Sequence, residues 1–119
     1  MYDRLNAAGL DVKGTVNRFG GRMDLYLRFL EKFPDDPNFG LIEPALEKAD
    51  YEEIFKAVHT MKGITGNLGM TELYGICSEM SEMTRDANVD SELLRIKYNQ
   101  LKSAYDVVVE VIAGILETK

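Results

Sequence analysis

The chain has 119 residues, 45% hydrophobic and 29% charged, enough for one core but with little room for a buried pocket beside it. Its formal net charge of −6 argues against nucleic acid or an anionic membrane surface as a main partner. No apolar run approaches the ~20 residues of a membrane span. The first residues lack the basic-then-apolar order of a signal peptide, and the lone Cys77 cannot form an internal disulfide, so a cytoplasmic domain is expected.

In chain order, 1–9 reads as a short helical lead-in. Asp11 is placed to cap a short helix, 12–19, which Gly20-Gly21 ends. A second short helix over 22–33 carries Leu25, Phe29 and Leu30 on one stripe beside Tyr26 and Phe33, and Pro34–Pro37 stops it. The two are expected to lie as a lid across one end of a bundle. Phe39, Ile42, Leu46 and Ala49 have helical spacing, but Pro44 predicts either a start near Ile42 or a kink.

Asp50 is placed to cap the next helix, with Glu53 completing a capping-box pattern, and Asn67 and Gly69 end it. A helix over 70–87 then returns antiparallel with Leu73, Ile76, Cys77, Met80, Met83 and Ala87 inward. Ser91 caps the last and longest helix, to about Leu116. There Leu94, Tyr98, Leu101, Tyr105, Val108, Ile112 and Ile115 step by fours and threes, the seam of left-handed bundle packing. Strand signals are nearly missing. The fold class is therefore all-α, an antiparallel four-helix up-and-down bundle of about 39–117, with short N-terminal helices (1–33) across one end, in a single domain of residues 1–119.

The stretch from Tyr51 to Gly69 holds the one histidine. At about 100° per residue, Ile54, Ala57, Val58, Met61, Ile64, Thr65 and Leu68 share an arc built for burial. His59 lies roughly 160° from the middle of that arc, beside Glu52, Lys56, Gly63 and Gly66, and so faces water. Interior helical glycines are destabilising by roughly 0.8–1 kcal/mol each against alanine. Here two of them leave a flat strip on the histidine's own face, and Lys62 can bring an ammonium group near the ring. Lys56, Lys62 and Arg85 could form a local basic patch. An accessible imidazole, bare surroundings and a cation suit a group that receives and holds phosphate. A solvated surface histidine is the plain alternative, as simple surface charges are for Lys56 and for Arg85, which could pair with Asp86 or Glu82.

The pattern His59, Met61, Lys62-Gly63, Gly66 and Leu68-Gly69 resembles the histidine-containing phosphotransfer (HPt) domain family. Leu10-Asp11, Arg18-Phe19-Gly20-Gly21, Leu25-Tyr26, Phe29-Leu30 and Phe33 are similar to that family's N-terminal segment. The resemblance runs over residues 10 to 88. The uninterrupted helix usual in the family where Pro44 stands is the one departure.

This resemblance implies a phosphoryl carrier rather than an enzyme. His59 would accept the group from a receiver-domain aspartyl phosphate and pass it to another receiver, and Lys62 would stabilise the phosphoryl oxygens. Gly63 and Gly66 would let the partner's active site approach, with Asn67 and exposed residues of the following helix, near Ser78, Ser81 and Glu82, lining the contact. Lys56 and Arg85 are added as partner contacts. The partners implied are response-regulator receiver domains and a hybrid sensor histidine kinase. No cofactor is implied on this chain, Mg²⁺ being supplied by the receiver. A monomer is expected, and Met1 with complete-looking ends favours a free-standing protein.

The residue inventory offers no zinc set, no carboxylate-bridged di-iron pattern and no phosphate-binding glycine loop. Two other functions stay open: a helical interaction module whose histidine is idle, and the phospho-acceptor domain of a larger kinase. Replacing Gly63 by Gln is expected to block transfer at a stability cost of about 1 kcal/mol.

Overall fold

A computed structural model describes residues 2–86 and 88–117. Among the described residues seven α-helices follow one another: α1 (Tyr2–Ala7), α2 (Val12–Arg18), α3 (Met23–Lys32), α4 (Asn38–Glu47), α5 (Tyr51–Asn67), α6 (Thr71–Arg85) and α7 (Ser91–Glu117). A 3₁₀ turn, Phe33–Asp35, closes α3. Among the described residues no strand forms, only an isolated bridge between Leu10 and Met70. The molecule is an all-helical bundle 44 Å long.

Short turns set the packing. α4 ends with Ala49 in the left-handed region (φ 53°), and the Asp50 N–H returns to the Ala45 carbonyl at 2.9 Å. α5 ends the same way on Gly69 (φ 70°), with the Met70 N–H bonded to the Thr65 carbonyl at 2.9 Å. Both are Schellman closures that satisfy orphan carbonyls and reverse the chain. α5 therefore packs between α4 and α6, and α6 packs on α7. Tyr98 of α7 donates its hydroxyl to Glu43 of α4, and Phe39 stacks on Tyr105 at 3.9 Å, so α7 runs back along α4. Lys97 pairs with Glu79 on the α6 side.

The core follows the helical arcs. Ile54, Ala57, Val58, Met61 and Thr65 of α5, and Leu68 just after it, are buried with Leu73, Ile76, Cys77 and Met80 of α6. Leu94, Tyr98, Leu101, Val108, Ile112 and Ile115 of α7 join them. Asp50 caps α5 through its carboxylate and the Glu53 N–H, 3.1 Å. The Asp50 N–H is already given to Ala45, so it is not free for the reciprocal bond a capping box would draw from the Glu53 side chain.

Several expectations are corrected. α4 begins at Asn38 rather than near Ile42, with Pro44 inside it. The carbonyl that Pro44 leaves without a donor belongs to Gly40, on the exposed side where water can serve it. α7 is capped by Asp90, whose carboxylate accepts the Leu93 N–H at 3.1 Å, and not by Ser91, its first helical residue. Ala104 rather than Tyr105 fills the α7 seam; Tyr105 is half-buried against Phe33 and Phe39. In α3 the buried residues are Tyr26 and Leu30, followed by Phe33, whereas Phe29 is 42% exposed and Leu25 half-buried. Met83 is half-buried while Ser81 and Thr84 go inward. α6 stops at Arg85, and Ala87 lies outside the described residues.

The N-terminal helices gather where α5 turns into α6. The Asp11 N–H bonds the Gly69 carbonyl at 2.8 Å. Arg18 donates to the carbonyls of Gly66 and Asn67, both at 3.3 Å. A guanidinium thus covers the negative end of the α5 dipole. α1 lies on the far part of α7, with Arg4 against Gly114.

Candidate functional site

His59 stands on the solvent face of α5 because Ala57, Val58 and Met61 commit the opposite face to the core. Its imidazole is exposed, and one turn earlier Phe55 stacks on it, centroids 5.5 Å apart and planes 18° off parallel. This i, i+4 pair orients the ring without covering it. Among the described residues no hydrogen bond or ion pair engages the imidazole.

The ring borders a shallow open hollow of about 460 Å³, lined by His59, Lys62, Gly63, Gly66, Asn67 and Tyr74. Five of these come from α5; Tyr74 comes from α6. Of the site residues expected from the sequence, His59, Lys62, Gly63, Gly66 and Asn67 are brought together here. Lys56 and Arg85 are not among the lining residues. Lys56 pairs with Glu52 at 3.5 Å and Arg85 with Glu82 at 3.1 Å, both at exposed positions where such pairs add little. Ser81 faces the core, so it contributes nothing to a contact surface.

The two glycines differ in what surrounds them. A Cβ at Gly63 would meet nothing within 4 Å, so this is the bare strip the spacing predicts. A Cβ at Gly66 would stand 3.0 Å from Cδ2 and 3.1 Å from Cε2 of Tyr74. Gly66 is therefore already occupied, by an aromatic ring of this chain. The Lys62 ammonium rests over that ring, 5.9 Å from its centroid. Phe55 and Tyr74 went unnoticed in the sequence. The i, i+4 spacing of Phe55 and His59 was a signal for the first, but nothing short of the α5–α6 register could have placed the second.

On the other side of the Gly63–Asn67 strip lies a second hollow of about 530 Å³ between α3 and α5. Phe29, Lys32, Phe33, Asp36, Ile64 and Leu68 line it together with Gly63 and Asn67. The exposed Phe29, expected in the core, forms part of its apolar wall, with the Lys32 ammonium 6.0 Å from its ring centroid.

Among the described residues no group of three or more His, Cys, Asp or Glu side chains is placed to hold a metal ion. Among the described residues no helix is long and apolar enough to cross a membrane. Residues 24–110 match the family model described as Hpt domain. No curated protein and no solved structure matches the chain.

Proposed function

Because this chain belongs to the Hpt domain family, whose members are phosphocarrier modules of two-component signalling that meet receiver domains and kinases, we propose that His59 is its phosphoryl acceptor and donor. The observation that carries this is the exposed imidazole, held by Phe55 at the edge of an open hollow whose floor, at Gly63, has no side chain.

In its neutral form the imidazole has one ring nitrogen whose lone pair is free for attack. It forms a bond to phosphorus as the bond between phosphorus and the receiver's aspartyl oxygen breaks, and the carboxylate departs with the electron pair. The reverse sequence hands the group to a second receiver. Such transfer depends on alignment and charge stabilisation, the receiver contributing Mg²⁺ and this chain the Lys62 ammonium. Gly63 leaves room for the receiver's active site, and the apolar wall of Phe29 and Ile64 next to it offers area for docking. On this reading residues 1–119 act as one monomeric cytoplasmic carrier domain without turnover of its own.

The test is to incubate the protein with receiver domains charged by acetyl phosphate and follow acid-labile, base-stable phosphate. The wild type should acquire it and His59→Gln should not. A well-folded wild type that takes no phosphate from any receiver would favour an idle-histidine interaction module.

A further inference from the structure

Gly66, Tyr74 and Lys62 interlock. The glycine leaves space that the Tyr74 ring fills, with ring atoms 3.0 and 3.1 Å from where a Cβ would be. The ring in turn receives the Lys62 ammonium at 5.9 Å. All three line the hollow that contains His59. A lysine on an exposed helix face samples many rotamers and has no fixed ammonium position. An aromatic face within about 6 Å of the cation narrows that freedom. Lys62 is half-buried, whereas Lys56, on the other flank of His59, remains 65% exposed in its side chain and pairs with its helix neighbour Glu52.

We propose that Tyr74 is a positioning residue of the phosphoryl site: its ring, seated on Gly66, holds the Lys62 ammonium at the rim of the His59 hollow. The consequence for transfer rests on the carrier reading of His59, while the placement of Lys62 does not. A cation already in place when the phosphoryl group arrives needs no reorganisation at that moment. An exposed cation–π contact of this kind corresponds to about a 2–5-fold effect on rate. The glycine at 66 then serves this chain's own tyrosine, and a side chain there would push the ring off its seat.

The test compares Tyr74→Leu, Tyr74→Phe, Lys62→Met and the Tyr74→Leu/Lys62→Met double variant in the full chain. Two readouts are used: NMR shifts of the Lys62 ε-methylene protons in the protein alone, and the rate of phosphoryl uptake from an acetyl-phosphate-charged receiver domain. The ε-proton signals should be displaced by the ring current in wild type and Tyr74→Phe, and return to the ordinary lysine position in Tyr74→Leu. Uptake should fall about 2–5-fold in Tyr74→Leu, recover in Tyr74→Phe, and show no further fall when leucine is added to Lys62→Met. An undisplaced Lys62 signal in the wild type, or the same loss from leucine with and without Lys62, overturns the proposal. Displaced signals in a wild type that takes up no phosphate would support the hold on Lys62 and contradict the carrier reading, which separates the two failures.

Discussion

At position 77 a thiol is closed off from water, and burial pushes its pKa from 9.0 to about 12. The unfolded chain therefore deprotonates first. Stability from this group is fully present below pH 9 and is lost as pH rises toward 12, by up to about 1.4 kcal/mol per unit. Urea unfolding measured from pH 7.5 to 10 should show a decline that sets in near 9, and Cys77→Ala should flatten it between 9 and 10. The same slope in both proteins would contradict the burial argument. Above pH 10, Tyr26 should add a further loss, because burial and the nearby Asp11 raise its pKa to about 12. The exposure of His59 and the burial of Cys77 were both legible in the sequence, since each follows from angular position on one helix. Tyr74 was not, because its place over Gly66 depends on how α5 and α6 are registered, which periodicity does not encode.

Along α5 the two glycines make separable predictions. Gly63 has open space where a Cβ would go, so Gly63→Gln should stabilise the protein by about 0.5 kcal/mol through helix propensity. This reverses the cost expected from the sequence. The same variant should lose phosphoryl uptake, because its side chain would project into the hollow. Chemical denaturation and a transfer assay on one preparation check both halves, and a stable variant with full uptake would show that the bare strip is irrelevant. The elements themselves were readable where a helix buries one clear arc, as α5, α6 and α7 do. α3 misled because it covers only an edge of the bundle. Its core stripe is narrower than its apolar sequence, which leaves Phe29 to line an open hollow. Pro44 misplaced the start of α4 for another reason: exposure of Gly40 lets water replace the hydrogen bond that proline removes.

Across the whole molecule, residues upstream of the family match act as a clasp on the turn behind the histidine helix. Leu10 and Met70 bridge, Asp11 bonds Gly69, and Arg18 covers the last carbonyls of α5. Gly69 is the pivot. Its φ of 70° is one L-residues avoid, and a Cβ there would collide with Thr15 Oγ1 and come within 2.9 Å of the Asp11 carbonyl. Gly69→Ala should therefore cost at least about 2 kcal/mol in a urea titration. A variant as stable as wild type would mean that the clasp does not matter. Mapping the phosphorylated residue decides whether the His59 imidazole is the carrier group. After reaction with a charged receiver, tandem mass spectrometry at neutral to alkaline pH should place the phosphate on His59 and nowhere else. Phosphate found on another residue of a fully labelled protein would rule out His59 as the carrier.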